Sequence, residues 1–230
     1  SIEVLPADFE HTYHISVYVK NPPGGSEVPD AGPYGRGLLA SYARGHCERT
    51  YPDDAGKLIR RGAEIIFQAH YVANGTPGVD RPRVAFQFHD APVSNHVVTR
   101  GVANAAFVIP PHEAAFEIRA SYTFEAPARI LALRPQLRAR GARFQFLAHD
   151  PSGGSTTLLD VFPYWFRWQV EYVLQTPVEV TPGTVIECLA TMDNSHENVW
   201  NPDPHGEVRP GLAASDEIMI GWIEYIPSPN

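Results

Sequence analysis

The sequence is poor in cysteine and has no long apolar run. Cys47 and Cys188 are the only cysteines among 230 residues. They are compatible with one disulfide or with two buried thiols, so they do not define the redox compartment. No apolar run approaches the roughly 18–20 residues of a membrane-spanning helix. No signal peptide is recognisable either. The sequence therefore predicts no direct membrane span.

Basic character and the common catalytic signatures are also missing. The net charge is −8 and the pI is near 5.6. This acidic balance argues against nucleic acid or an anionic membrane surface as the main partner. The chain has no glycine-rich phosphate-binding loop, no G-x-S-x-G, no C-x-x-C and no H-E-x-x-H motif. These absences argue against nucleotide-binding loops, serine hydrolases, dithiol redox sites and zinc proteases of the usual kinds.

What is present indicates an all-β protein. The 22 prolines, 18 glycines and 11% aromatic residues suit many short strands joined by turns. Strand-like runs recur about every 8–12 residues, which predicts two antiparallel jelly-roll or β-sandwich domains packed side by side. We place the domains at residues 1–93 and 94–230. The predicted strands are two within 1–20, a short one within 38–51, then 63–72, 83–89, 97–108, 115–124, 130–133, 143–149, 157–161, 165–174, 184–192 and 217–226.

Two predicted strands come with a prediction of which side chains face the core. Alternation with a period of two places successive side chains on opposite faces of a sheet. In 83–89 the apolar face would be Val84, Phe86 and Phe88. In 165–174 the inward side chains would be Phe166, Trp168, Val170 and Tyr172, and the outward ones Arg167, Gln169 and Glu171. The turn-rich segment 21–36 and the region around His46 and Cys47 are predicted to be loops.

The ten histidines are the first candidates for a metal site. His11 and His14 lie three residues apart on one predicted strand, hence on opposite faces unless the strand is bent. His70 lies at the end of another predicted strand. A single histidine without other ligands nearby in the sequence is more typical of a surface or core position than of a metal-binding one.

One segment resembles a metal-binding motif. Residues 134–141 read RPQLRARG, which is similar to the R-P-H-x-H-x-x-G segment of the copper type II, ascorbate-dependent monooxygenases, the peptidylglycine and dopamine hydroxylase family. Gln68-Ala69-His70-Tyr71 matches the family's Q-x-H-Y strand, and Tyr13-His14 falls where the family has a histidine pair. Further similar fragments follow in the family's order at 81–84, 107–111, 120–124, 166–169, 193–195, 201–204, 207–209 and 216–217.

The departures from the family pattern fall on the copper ligands. The resemblance implies that the catalytic copper would be bound at Gln136, Arg138 and Ile218, where the family has two histidines and a methionine. None of the three is a copper ligand, and Arg138 adds a permanent positive charge. Met219 is one residue along and would face the other way on a strand. No catalytic residue is therefore predicted at this site.

A second copper site of the family is only partly preserved. The resemblance implies that His14 and His70 are retained ligands and that Tyr13 replaces the third. Two imidazoles can still hold copper or zinc weakly, with Tyr13, His11 or water completing the shell. The expectation is no cofactor, with one copper or zinc as the alternative. Arg134 matches an arginine that holds a substrate carboxylate in the family. With Arg138 it forms a candidate anion site, unless these arginines pair with acidic residues on a solvated strand end.

Three functions follow from the resemblance. The first is a pseudoenzyme that serves as a structural or binding subunit of a larger assembly. The second is a redox or hydroxylating enzyme that uses one residual copper, and the third is an ascorbate-dependent monooxygenase with unusual ligands. The family's first domain normally begins with further strands upstream. Another protein subunit or a cleaved N-terminal segment is therefore expected to complete residues 1–93. Family members are usually exported, which implies a periplasmic or extracellular location.

Overall fold

The computed structural model describes residues 1–20, 37–45, 48–211, 213 and 215–228. These residues form strands and no helix. None of them lies in a helix that could span a membrane. The all-β prediction is confirmed. The strands are β1 (Ile2–Leu5), β2 (Thr12–Lys20), β3 (Leu38–Ala43), β4 (Ala55–Gly56), β5 (Glu64–Tyr71), β6 (Arg83–Phe86), β7 (Asn95–His96), β8 (Val98–Ala103), β9 (Phe116–Thr123), β10 (Ala128–Gln136), β11 (Gly141–His149), β12 (Ser155–Val161), β13 (Tyr172–Val180), β14 (Val185–Met192) and β15 (Ile220–Pro227).

The chain divides into two compact units. The first contains residues 1–100, 167–170 and 224–227, and the second contains 101–166, 171–223 and 228–230. The predicted domains 1–93 and 94–230 place the division seven residues earlier. They also miss the two short segments that return to the first unit. No linker-like composition separates either segment from the residues around it. The local sequence therefore does not show that these segments belong to the first unit.

The first unit contains three small sheets, and two of them enclose an apolar cluster. The sheets are β3-β2-β5 and β1-β6, both antiparallel, and the two-residue parallel pair β4-β7. The central strand β2 is buried on both faces, and its Ile15 and Val17 are completely buried. They belong to a cluster with Ile2, Val4 and Leu39. Burial of each such side chain stabilises the fold by about 1.5–3 kcal/mol.

The second unit has two four-stranded sheets, of which the second is antiparallel throughout. Their strand orders are β13-β10-β15-β8 and β12-β11-β14-β9. In β11 the buried residues are Phe144 and Phe146, and in β14 they alternate from Ile186 to Met192. This period-two burial gives the second sheet a core face and an outward face, as in a β-sandwich.

Several predicted strands differ in extent from the observed ones. The strand predicted at 83–89 ends at Phe86, and Phe88 is exposed instead of continuing the apolar face. The strand predicted at 130–133 is longer, because β10 continues to Gln136. The two-residue strands β4 and β7 were too short to give a pattern. The predicted loops at 21–36 and around His46 and Cys47 lie outside the described residues.

The prediction for 165–174 is wrong in both extent and facing. The strand begins only at Tyr172, and residues 167–170 belong to the first unit. Trp168, predicted inward, is 53% exposed, while Gln169, predicted outward, is 2% exposed. The Gln169 amide Nε2 donates a hydrogen bond to the Tyr13 hydroxyl at 2.7 Å. This hydrogen bond offsets the free-energy cost of burying the amide. The local alternation of residue types gives no sign of a partner so distant in the sequence.

Candidate functional site

Gln136 and its neighbours form a closed hydrogen-bonded structure in the second unit. Gln136 is the last residue of β10, and its side chain is buried. Its Oε1 accepts a hydrogen bond from Trp222 Nε1 at 2.7 Å. Trp222 lies on β15, the neighbour of β10 in the sheet. The amide therefore satisfies a buried indole N–H, which would otherwise cost free energy.

Arg138 and Arg140 are fixed by one buried carboxylate. Glu217 Oε2 accepts the backbone N–H of Arg138 at 2.9 Å, and Oε1 accepts that of Arg140 at 2.8 Å. Burial raises the pKa of Glu217 to about 7, against the opposing effect of these two donors and of Arg140 and Arg138. The Arg138 Nη1 also donates to the Ala213 carbonyl oxygen. The loop after β10 is thus held by residues on the approach to β15.

The Arg140 guanidinium is buried and bonded to the surrounding loops. Its Nε donates to Asn194 Oδ1 at 2.8 Å, and its Nη1 donates to the Ser215 carbonyl oxygen at 2.9 Å. Glu217 Oε1 lies 4.0 Å from Nη1. Burial lowers the pKa of Arg140, and the nearby carboxylates oppose that shift. The side chain therefore links three loops and is not directed at a solvent-accessible site.

The loop 193–204 is held by hydrogen bonds from its side-chain amides. Asn194 is fully buried, and its Nδ2 donates to the carbonyl oxygens of Pro110 and Gly206. Asn201 Nδ2 donates to the Ser195 carbonyl oxygen at 3.1 Å. Side-chain amides thereby replace backbone partners in a segment without regular structure.

The remaining positions of this region do not supply copper ligands. Ile218 and Met219 are both buried just before β15. Arg134 is 2% exposed, and its guanidinium carbon lies 5.4 Å from the centre of the Trp222 ring. Copper binds to imidazole, thiolate and thioether groups in proteins. The three positions offer other groups: a hydrogen-bonded amide at Gln136, a cation at Arg138 and an alkyl group at Ile218. The anion-binding role of Arg134 and Arg138 stays a prediction.

His14 and His70 face each other in the first unit. They are directly paired in the β2–β5 register, with ring centres 5.9 Å apart and a 54° angle between the rings. The register shifts between Thr12 and His14, and Tyr13 lies at this irregularity with its hydroxyl bonded to Gln169. The two imidazoles have the right chemistry for copper or zinc. No group of three or more His, Cys, Asp or Glu side chains that could hold a metal occurs among the described residues.

His11 is engaged elsewhere. It precedes β2, and its Nδ1 lies 2.7 Å from Asp8 Oδ2 while its Nε2 lies 3.0 Å from the Thr76 carbonyl oxygen. The hydrogen bond to Asp8 is the main reason why the pKa of His11 is raised. Thr76 belongs to the turn after Asn74-Gly75, where Gly75 has a φ of 87° and Asn74 Oδ1 accepts the Thr76 N–H. Residues 74–76 therefore form a tight turn after β5.

A buried ion cluster in the first unit was not predicted. The Glu224 carboxylate accepts hydrogen bonds from Arg49 Nη2 at 2.6 Å and from the Tyr51 hydroxyl at 2.9 Å. Lys57 Nζ lies 2.9 Å from Glu224 Oε1. Burial tends to raise the pKa of Glu224, but the charges of Lys57 and Arg49 outweigh it and hold the pKa below its usual range. The signal available in the sequence was a single carboxylate inside the apolar run 220–227.

Comparison with known proteins assigns no family. No protein-family model and no curated protein matches the sequence. Among solved structures, the chain is similar to two described as infectious bursal disease virus, the Gt and Gx strains, each at 11% identity. The TM-scores are 0.27 and 0.26, and the matches cover 98% and 95% of this chain. The chain spans about half the length of those chains, 55% and 56%. Likeness at this level does not bear on function.

Proposed function

We propose that the protein is a non-catalytic relative of the copper type II, ascorbate-dependent monooxygenases that acts as a structural or binding subunit of a larger exported assembly. The observation that supports this proposal best is the state of the three positions that would hold the catalytic copper. Gln136 bonds Trp222 in the sheet, Arg138 is fixed by Glu217 and Ala213, and Ile218 is buried hydrocarbon. Each position contributes to folding.

The charge at this site also opposes a metal ion. Arg138 and Arg140 are both cationic, and Glu217 is the carboxylate that faces their backbone amides. A copper ion placed between Gln136 and Ile218 would have to displace the buried Gln136–Trp222 hydrogen bond. Leaving the indole N–H without a partner would cost about 1–3 kcal/mol. The proposal that the protein lacks monooxygenase activity is therefore based on the side chains at Gln136, Arg138 and Ile218.

The edge strand β5 is the proposed contact surface for a partner subunit or a cleaved N-terminal segment. In the described part of the chain, β5 pairs only with β2. All eight of its residues are half-buried or exposed, and Glu64 at its start is the only charged one. An edge strand without interior charges, proline or a bulge is open to pairing with another extended segment. Strand addition at β5 would extend the three-stranded sheet.

The metal content of the purified protein tests the non-catalytic proposal. The protein is prepared without chelator, dialysed against Cu(II), freed of unbound metal, and analysed by mass spectrometry for copper per chain. We expect no retained copper and no ascorbate-dependent consumption of O2. Two retained coppers together with O2 consumption would contradict the proposal and favour the monooxygenase with unusual ligands.

A residual mononuclear copper or zinc site is the second candidate, and the direct pairing of His14 with His70 favours it. In that case one metal per chain is expected, and His70→Ala should remove it. The matched control is His196→Ala, which changes an exposed histidine of the second unit. Loss of metal in both variants would indicate non-specific binding by surface histidines and would contradict the residual site.

A further inference from the structure

The outward face of the β12-β11-β14-β9 sheet carries a groove that the proposed function does not use. Its volume is about 350 Å3, and its lining includes Arg119, Ser121, His149 and Glu187. Their strands bury the alternate residues, such as Ile118, Phe146 and Ile186. The groove residues therefore belong to the face that is turned away from the core.

The floor of the groove is a chain of planar polar groups. Arg119 Nη1 donates to Glu187 Oε1 at 2.8 Å, and His149 Nε2 lies 3.1 Å from Glu187 Oε2. Arg119 Nη2 also donates to Glu117 Oε2 at 3.0 Å. The strand register brings these groups together. Glu187 is paired with Ser121. Arg119 is paired with the residue two positions after Glu187, and His149 is paired with the residue two positions before Glu187. The side chains are thus held in one orientation before any ligand arrives.

The floor carries one guanidinium, that of Arg119, and two carboxylates, those of Glu117 and Glu187. The hydrogen bond from Arg119 is the main reason why the pKa of Glu187 is lowered, so the carboxylate is ionised at neutral pH. The guanidinium repels a metal ion, and Glu117 and Glu187 repel a phosphate or sulfate. A ligand without charge but with many hydroxyl groups fits better. Guanidinium, carboxylate, imidazole and the Ser121 hydroxyl offer donors and acceptors to neighbouring hydroxyls, and Val185 adds an apolar wall.

A second set of suitable groups lies farther along the same face of β11. Arg143 Nε donates to Asp160 Oδ1 at 2.9 Å, and Gln145 Nε2 donates to Asp160 Oδ2 at 3.3 Å. Beside them the Phe162 ring is 73% exposed, with the Arg143 guanidinium carbon 5.6 Å from its centre. An exposed aromatic face next to planar polar groups suits the C–H face of a sugar ring. From His149 to Arg143 the strand covers roughly 20 Å, at about 3.4 Å per residue.

We infer that this strip, from the Arg119–Glu187–His149 groove to Phe162, binds a neutral oligosaccharide. The length of the strip favours a chain of several sugar units over a single sugar. The strip lies wholly within the second unit and involves none of the candidate copper positions. Its function is therefore independent of whether the protein binds copper.

Binding of linear hexasaccharides built from glucose, mannose or xylose tests the inference by titration calorimetry. We expect at least one to bind with a dissociation constant in about the millimolar range or tighter. Phe162→Ala should weaken binding about tenfold because a stacking surface is lost. Glu187→Gln should weaken it by a similar factor, because the uncharged amide has one acceptor oxygen and can hold only one of Arg119 and His149.

Two control variants match these changes. Phe88→Ala removes an aromatic ring that is 70% exposed but lies in the first unit. Glu207→Gln weakens an exposed pair with Arg209 away from the strip. Neither should alter binding. The inference is overturned if no hexasaccharide binds, if either Phe162→Ala or Glu187→Gln binds as the parent does, or if the controls weaken binding equally. Binding of only a sulfated hexasaccharide, lost at high salt, would also overturn it.

Discussion

At the scale of single residues, the two lysines have opposite environments. Lys20 and Lys57 are the only lysines in the chain. Lys20 pairs with Glu64 on the surface, where both side chains are more than half exposed. The Lys57 side chain is 7% exposed, contacts the Glu224 carboxylate, and donates to the Leu39 carbonyl oxygen at 2.6 Å. The same residue type is thus dispensable in one place and structural in the other.

We expect Lys57→Met to destabilise the protein by about 3–5 kcal/mol, because it leaves the buried Glu224 carboxylate short of one cation. The measurement is the midpoint and slope of urea unfolding, followed by tryptophan fluorescence. Lys20→Met is the control and should change the unfolding free energy by less than about 1 kcal/mol. Equal effects of the two substitutions would contradict the structural role of the cluster.

At the scale of secondary-structure elements, Gly221 on β15 allows its strand to lie close to the second sheet. A Cβ placed at Gly221 would meet the Cys188 thiol of β14 and would lie 2.8 Å from Phe146 Cε1 of β11. Both neighbours are completely buried. The absence of a side chain at this single position therefore sets how closely β15 approaches β14 and β11.

Gly221→Ala should lower the free energy of unfolding by roughly 1–3 kcal/mol, the usual cost of overpacking a filled core. The measurement is again urea unfolding. The double variant with Cys188→Ala removes the thiol that the new methyl group would strike. It should therefore lose less stability than the sum of the two single variants. Strict additivity would show that the thiol does not limit the approach of β15.

Local patterns were enough to predict most strands but not the longer-range contacts. Residues alternate between apolar and polar in Arg143–His149 and Thr184–Met192, as expected for strands with one buried face. The strands β11 and β14 lie at these positions. The run 165–174 alternates equally well but is mostly irregular, because Gln169 is satisfied by Tyr13, 156 residues away. Glu224 likewise bonds Arg49 at a separation of 175 residues. Such pairings depend on the complete fold, so no window of sequence contains them.

At the scale of the whole molecule, the β5 edge and the acidic net charge act in opposite directions. A net charge of −8 keeps copies apart in solution. The strand β5 offers backbone hydrogen-bonding groups and the partly exposed Phe67 to any extended segment. Association at this edge is therefore expected to strengthen as salt screens the repulsion between copies.

Phe67→Lys should reduce that association, because a charge on an exposed edge strand opposes pairing with another strand. Sedimentation velocity at several protein and salt concentrations gives the measurement. Phe88→Lys is the control, since Phe88 is exposed outside any strand. If the parent protein stays monomeric at all concentrations, or if both variants behave alike, β5 is not a self-association edge.

The contrast between the two lysines has a practical consequence for chemical labelling. Amine-reactive dyes and cross-linkers attack the unprotonated, solvent-accessible amine. The Lys20 side chain is 56% exposed, whereas that of Lys57 is 7% exposed and held by Glu224. Under native conditions, acylation of lysine side chains is therefore confined to Lys20. A fluorophore on Lys20 lies at the end of β2, and the strip on the second unit, which contains no lysine, is left unmodified.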